Sequence, residues 1–209
     1  MVALKNKGEF VQFLIDEKAL RFGEFTLKSG LKSPFFINLG DIASGKALDY
    51  IGKALAQTIK ESFGDVDSLY GPPYKGISLV TATAMAFYQN YGKIVNTFYS
   101  RKEVKVHGEA GVFVGKLPQK EERVLVIDDV LTTGGTKVEA IQQTEKTFGV
   151  KIAGVVISVD RRTKNADAGL GNYPLVSIIN LTDIIEYLYS INDSNARLIE
   201  NYYEEKYFE

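Results

Sequence analysis

The stretch VLVIDDVLTTGGT, residues Val124 to Thr136, decides the fold of this chain. Its apolar start predicts a buried strand over residues 123–127, which leads into two acids, Asp128 and Asp129. The threonines and glycines that follow predict a turn, and residues 136–147 have the pattern of a helix. A strand that leads through such a turn into a helix is the repeating unit of an α/β protein.

The same alternation recurs on both sides of this stretch. The further predicted strands cover residues 68–70, 94–99, 152–159 and 175–179, and the further predicted helices cover 76–91 and 181–189. Alternation of this kind predicts a mostly parallel sheet flanked by helices. Ligands of such sheets bind at the carboxyl ends of the strands, so the loops that follow these strands are the candidate site.

The first part of the chain has a different pattern. Helical spacing marks residues 10–20 and a second run from Ser44 to Phe63, while residues 21–43 have the short pieces and Gly/Pro punctuation of strands and turns. We therefore expect a single domain, 1–209, with a small N-terminal α+β hood region at about 1–65 and an α/β core at about 66–209.

The composition excludes several classes of partner. The chain has 209 residues, and its 25 Lys and Arg nearly balance its 26 Asp and Glu, giving a net charge of -1. This charge offers no general attraction for nucleic acid or an anionic membrane. Cysteine is absent, which excludes disulfides and thiolate metal sites. The sequence has neither a signal-peptide pattern nor a run of about 18 apolar residues, so we expect a cytoplasmic protein.

The turn after the two acids has the chemistry of a phosphate site. Glycines let backbone N–H groups close around an anion, the start of the helix adds partial positive charge, and threonine hydroxyls add hydrogen bonds. Asp128 and Asp129 are placed to accept hydrogen bonds from the hydroxyls of a sugar that carries the phosphate. The sequence has neither the Gly-Lys-Ser/Thr ending of a Walker loop nor the Rossmann glycine pattern. The alternative is an ordinary strand followed by a capped helix.

Two other segments offer cations. The loop 101–111 carries four potential cations that could enclose a pyrophosphate: Arg101, Lys102, Lys105 and His107. The segment GPPYKG, residues 71–76, puts Tyr74 and Lys75 at a predicted strand-to-helix turn. A solvated loop and a proline-stiffened turn are the respective alternatives.

Five segments together resemble one enzyme family. VLVIDDVLTTGGT looks like the 5-phosphoribosyl 1-pyrophosphate (PRPP) motif of type I phosphoribosyltransferases. FTLKSGLKSPFFINLG, GPPYKG, RKEVKVHGEAG and ISVDRR are similar in order and spacing to the signature segments of the orotate phosphoribosyltransferase family. The resemblance covers nearly the whole chain and implies transfer of ribose 5-phosphate from PRPP to N1 of orotate in pyrimidine biosynthesis.

The resemblance also implies roles for particular residues. The implied PRPP-binding residues are Lys28, Tyr74, Lys75, Arg101, Lys102, Lys105, His107, Asp128, Asp129, Val130, Leu131, Thr132, Thr133, Gly134, Gly135 and Thr136. The implied orotate-binding residues are Lys28, Phe36, Ile37, Thr132 and Arg161, and the implied catalytic residues are Lys105, His107, Asp128 and Asp129. Mg²⁺ is expected to be held by pyrophosphate, ribose and water oxygens without a direct protein ligand. A homodimer is expected, in which loop 101–111 closes over the site of the other subunit.

The chain departs from the family pattern at three positions. Pro73 stands where a small residue is usual, Ile37 where a second phenylalanine is usual, and Val106 where an acid is common. Two other functions stay open at this point. A transferase for another base would share the phosphate turn but lack the segments of Lys28 and Arg161. A PRPP-sensing regulator would require a basic surface or a helix-turn-helix segment.

Overall fold

A computed structural model describes residues 6–27, 30–101, 112–131 and 135–205 of the chain, except the side chains of 135–137. The strands are β1 (Leu20–Thr26), β2 (Lys32–Ile37), β3 (Ser68–Tyr70), β4 (Asn96–Ser100), β5 (Phe113–Gly115), β6 (Arg123–Leu131), β7 (Lys151–Asp160) and β8 (Leu175–Asn180). The helices are α1 (Lys7–Asp16), α2 (Gly45–Phe63), α3 (Lys75–Tyr91), α4 (Gly135–Phe148), α5 (Leu181–Ser190) and α6 (Asn195–Tyr203), with a short 3-10 helix at Leu39–Asp41.

The main sheet confirms the predicted α/β fold. Within the described ranges it has six strands in the order β5-β4-β3-β6-β7-β8, and every pairing is parallel except that of β5 with β4. The strands β3 and β6 are neighbours, yet the chain leaves them in opposite directions, toward β4 and toward β7. This reversal of strand order opens a crevice at the carboxyl ends of β3 and β6, where ligands of open α/β sheets bind.

Strand β6 is buried on both faces of the sheet. Leu125 and Ile127 belong to the larger core cluster, which includes residues of α2 and α3. Val124 and Val126 belong to a second cluster on the opposite face, together with Ile141 of α4. A central parallel strand covered on both sides needs a continuous apolar run rather than an alternating one, which is why this stretch reads VLVI.

Several boundaries differ from the predicted ones. Strand β6 continues past residue 127 because Val130 and Leu131 still pair with β7, whose last residue is Asp160. The first helix stops at Asp16 rather than reaching residue 20, because Leu20 starts β1 and pairs with the end of β2. The sequence patterns did not identify the short edge strand β5 or the helix α6. Among the described residues, no helix is both long and apolar enough to cross a membrane.

The N-terminal hairpin lies against the end of the chain. Strands β1 and β2 pair antiparallel, and Phe35 of β2 meets the ring of Tyr202 in α6 edge-on, with 5.2 Å between ring centroids. Helix α2 starts after Ser44, whose hydroxyl accepts a hydrogen bond from the Ala47 N–H at 3.1 Å. This packing puts the hairpin and α6 beside the carboxyl end of β7.

Candidate active site

Two segments that are distant in sequence meet at the crevice. The side-chain Nζ of Lys75, at the start of α3, donates a hydrogen bond to Oδ2 of Asp129 at 2.7 Å. Lys75 follows the carboxyl end of β3, and Asp129 lies near the carboxyl end of β6, so the parallel pairing of these strands brings the two together. The structure therefore joins the segment predicted to contact pyrophosphate with the one predicted to contact ribose.

The carboxylate of Asp129 is held in its charged form. Burial by itself raises the pKa of Asp129, but the hydrogen bond and positive charge of Lys75, with the Val130 backbone N–H, outweigh burial and lower it. The Asp129 side chain is largely buried, while the Lys75 side chain is half-exposed. Asp128 stays beside it, because its Oδ1 accepts a hydrogen bond from the Asp129 backbone N–H at 2.8 Å. The result is an ionised Asp129 carboxylate that lies next to a second acid, Asp128, and has one cation already in contact.

The turn between β3 and α3 requires two glycines in close contact. A Cβ on Gly71 would lie 2.4 Å from the carbonyl oxygen of Gly76, and a Cβ on Gly76 would lie 3.1 Å from the carbonyl oxygen of Ile127. The Gly71 N–H donates to the Phe98 carbonyl at 3.0 Å, which ties the turn to β4. Because backbone atoms cannot move aside as a flexible side chain can, this compact turn fixes the position of Lys75.

Gly71→Ala should therefore damage both stability and activity. The added methyl group overlaps backbone, and overpacking of this kind costs about 1–3 kcal/mol. The turn should shift and take Lys75 away from Asp129, so the KM for PRPP should rise. Urea unfolding and initial-rate kinetics measure the two effects. Gly45→Ala is the matched control, since a Cβ on Gly45 meets nothing within 4 Å; equal behaviour of the two variants would contradict the assigned role of the turn.

Arg101 lies at the start of the predicted pyrophosphate loop. Its backbone N–H donates to the Val112 carbonyl at 2.6 Å, so residues 101 and 112 are held together at the base of the loop. The Arg101 side chain is half-buried, and within the described part of the chain nothing accepts a hydrogen bond from its buried Nε. An arginine donor in this condition is available to an anion.

The acceptor segments meet at the end of β7. The Arg161 backbone N–H donates to the Leu131 carbonyl at 3.1 Å, which puts Arg161 beside the end of β6. Its guanidinium lies 5.2 Å from the centre of the Phe35 ring. Phe36 points to the other face of β2, where Arg21 lies 5.3 Å from its ring centre. Ile37 is buried in the larger core cluster. The structure thus brings Phe35 to Arg161, whereas the resemblance implies Phe36 and Ile37 as the orotate-binding residues of this strand.

The remaining predicted site residues divide into two groups. Val130 and Leu131 lie at the end of β6, and α4 begins at Gly135, with Thr136 in its first turn. Tyr74 directly precedes α3 and is largely exposed. The predictions for Lys28, Lys102, Lys105, His107, Thr132, Thr133 and Gly134 lie outside the described residues.

Sequence reasoning missed Tyr202 altogether. Its hydroxyl accepts a hydrogen bond from Nη2 of Arg161 at 3.2 Å. Tyr202 belongs to no motif, and the only available signal was the helical spacing of Ala196, Ile199 and Tyr202, all buried in α6. That spacing identifies a helix but does not reveal which residue its tyrosine contacts.

The class of the protein follows from this arrangement. A model of the phosphoribosyl transferase domain matches residues 40–187, which include the turn of Lys75, both acids and Arg161. Two adjacent acids, Asp128 and Asp129, lie at the reversal of strand order, ahead of a segment rich in threonine and glycine, in a sheet with the type I phosphoribosyltransferase fold. The fold and the site therefore define a phosphoribosyltransferase.

Comparison with similar proteins identifies the family within the phosphoribosyltransferases. The chain is 42% identical over 194 residues to an orotate phosphoribosyltransferase of Ruthia magnifica, covering 88% of this chain and 90% of the relative. It is 36% identical to the corresponding enzyme of Clostridium acetobutylicum, covering 93% and 91%. A crystal structure of orotate phosphoribosyltransferase from Francisella tularensis matches with a TM-score of 0.79 and 35% identity, covering 94% and 98%. The chain belongs to the orotate phosphoribosyltransferase family.

Proposed function

We propose that the protein transfers ribose 5-phosphate from PRPP to N1 of orotate, giving orotidine 5'-monophosphate and pyrophosphate. The bond from C1 of the ribose to the pyrophosphate oxygen breaks, and the electron pair leaves with pyrophosphate. A bond from N1 of orotate to C1 forms, and the N1 proton is released. The observation that carries the proposal is the contact of Lys75 with Asp129, because it joins two of the segments assigned to PRPP.

Lys75 and Asp129 exchange partners when PRPP binds. Without a ligand each neutralises the other across 2.7 Å. The pyrophosphate offers Lys75 more negative charge, and a ribose hydroxyl gives Asp129 a hydrogen-bond donor. Departure of pyrophosphate leaves positive charge on the ribose ring, as at other glycosyl centres, so a nearby carboxylate stabilises the transition state. No covalent nucleophile is required.

The 5'-phosphate is assigned to the segment between β6 and α4. Support comes from the position of α4, which begins at Gly135, four residues after the end of β6 at Leu131. The start of a helix carries partial positive charge and free N–H groups. The roles of Thr132, Thr133, Gly134 and Thr136 in this cradle stay predictions.

Mg²⁺ fits this site as a partner of PRPP. Asp128 and Asp129 offer carboxylate oxygens side by side, and Mg²⁺ keeps several waters while binding few protein ligands. The contact with Lys75 already offsets the charge of Asp129, which favours contact through water over direct ligation. When bound, Mg²⁺ neutralises charge on the pyrophosphate. Among the described residues, no group of three or more acidic or histidine side chains is arranged to hold a metal.

The acceptor substrate that fits this site best is an anion. Arg161 is a buried cation, and within the described part of the chain no carboxylate forms an ion pair with it. Arginine binds planar anions through paired hydrogen bonds, and orotate has a flat ring with a carboxylate. Hypoxanthine and uracil lack that carboxylate, so this arginine favours orotate over the other acceptors considered. The reaction is proposed to take place in the cytoplasm.

The active unit is proposed to be a homodimer. One face of α3, which we call the α3 face, is exposed at alternating steps of four and three residues, a spacing typical of helices that pack together. It consists of Tyr74, which directly precedes the helix, and of Ser78, Thr81, Met85 and Tyr88. Tyr74, Met85 and Tyr88 are 69%, 57% and 65% exposed. A groove of about 520 Å³ runs beside this face, between α2 and α3. Because Tyr74 adjoins Lys75, a second copy on the α3 face would lie next to the site.

The reaction itself is tested by the loss of orotate ultraviolet absorbance with PRPP and Mg²⁺. We expect rapid loss with orotate, and no product when hypoxanthine or uracil replaces it or when Mg²⁺ is removed by a chelator. Reactions without acceptor measure the hydrolysis of PRPP. Turnover of another base in preference to orotate would refute the proposed acceptor. PRPP binding without turnover of any base would favour the alternative function, a PRPP-sensing regulator.

A further inference from the structure

Arg161 is held in place by two aromatic side chains. Arg161 is only 8% exposed, and its guanidinium lies 5.2 Å from the centre of the Phe35 ring. On another side, Nη2 donates to the hydroxyl of Tyr202 at 3.2 Å. Tyr202 and Phe35 also contact each other, at 84° between ring planes. Each of the three side chains therefore touches the other two.

The hydrogen bonding of Arg161 is incomplete in this arrangement. Its Nε is buried, and the described residues include no acceptor for it. Leaving a charged donor buried without a partner is costly, and native proteins rarely do so without a functional reason. A planar anion that binds beside Arg161 would supply the acceptor.

Tyr202 has the properties of a residue that orients this arginine. It is 7% exposed, and its backbone lies in α6 rather than in β6, the strand that carries the two acids. Its hydroxyl fixes one nitrogen of the guanidinium, and its ring fixes Phe35, over which the guanidinium lies. A long arginine side chain that is already fixed loses less conformational freedom when an anion binds.

We propose that Tyr202 is a positioning residue for orotate recognition, acting through Arg161. This inference rests on the proposed role of Arg161 as the group that binds the orotate anion. Tyr202 touches Arg161 rather than the reacting atoms, so its hydroxyl contributes to acceptor binding and little to the transfer step. The C-terminal helix α6 thereby becomes part of the acceptor site.

Tyr202→Phe tests the proposal, because it keeps the ring against Phe35 and removes only the hydroxyl. Loss of the hydrogen bond to Arg161 should raise the KM for orotate about fivefold. The kcat and the KM for PRPP should change less than twofold. This is expected when the lost contact stabilises the ground state and the transition state of the orotate complex equally. Tyr203→Phe, one residue along the same helix, is the matched control and should leave all three constants unchanged.

A double-variant cycle separates orientation of Arg161 from a general effect on the fold. In an Arg161→Lys background, which has a weaker acceptor site, Tyr202→Phe should have no further effect on the orotate KM. An unchanged orotate KM in Tyr202→Phe, a parallel rise in both KM values, or full additivity with Arg161→Lys would overturn the proposal. The unaltered chain is assayed alongside, so failure of the orotate reaction itself is recognised separately.

Discussion

Asp129→Asn should lower kcat/KM for the transfer reaction by roughly 100-fold while leaving the fold intact. A hydrogen bond to a charged group contributes about 1.5–3 kcal/mol, and each 1.4 kcal/mol corresponds to about a factor of ten in rate. Asparagine has nearly the same shape, but it has no charge to offer either the ribose or the positive charge that develops on it. Steady-state kinetics with orotate and PRPP measure the loss.

The effect on stability should be small by comparison. Asp129 loses its ion pair with Lys75, a half-exposed partner, and pairs of this kind contribute about 0–1 kcal/mol. Thermal unfolding followed by circular dichroism should therefore show a shift of only a few degrees, by the usual scaling of stability with melting temperature. A variant whose melting temperature is close to that of the unaltered protein, but whose turnover is slow, has a catalytic defect rather than a folding defect.

Asp65→Asn is a suitable control for this variant. Asp65 also pairs with a lysine, since Lys60 Nζ lies 2.6 Å from its Oδ1. It precedes β3 and therefore lies at the amino-terminal end of that strand, whereas the crevice is at the carboxyl end. Its replacement removes an aspartate–lysine pair without touching the site, and kcat/KM should stay unchanged. An equal kcat/KM for the Asp129→Asn variant and the unaltered enzyme would refute the role given to Asp129.

The proximity of Lys75 and Asp129 could be predicted from the sequence. Both residues follow predicted parallel strands, and the carboxyl ends of parallel strands lie at one edge of the sheet. The position at which β6 ends was harder to predict from the sequence. The apolar run stops at Ile127, yet backbone pairing with β7 continues to Leu131, and hydrogen bonding between backbones leaves no mark on the side-chain pattern.

The contacts of Arg161 were beyond sequence reasoning. On β2 the side chains of Phe35 and Phe36 point to opposite faces, and the choice of buried face depends on which elements cover it. Phe35 is buried against Tyr202 and Arg161, which come from distant parts of the chain. Neither residue lies near β2 in sequence, so the register of the aromatic pair could be resolved only in three dimensions.

Mixing two inactive variants should restore activity if loop 101–111 acts on the other subunit. In a hybrid of Lys105→Ala with Asp129→Asn, one of the two sites combines an intact core with an intact loop. Random exchange makes half of the dimers hybrids, so about one quarter of the unaltered activity should return. Lys105 lies outside the described residues, and its role rests on the resemblance. The measurement is the orotate assay on mixed variants, with exchange verified by two affinity tags.

A second mixture is the decisive control. Lys75 and Asp129 contact each other within one chain, so a hybrid of Lys75→Met with Asp129→Asn has no site with an intact core. This mixture should stay inactive, although its dimers exchange just as freely. Recovery in both mixtures would mean that exchange restores activity by some route other than sharing of the loop. Recovery in neither, with exchange verified, would mean that each site is complete within one subunit and that loop 101–111 does not act across the dimer.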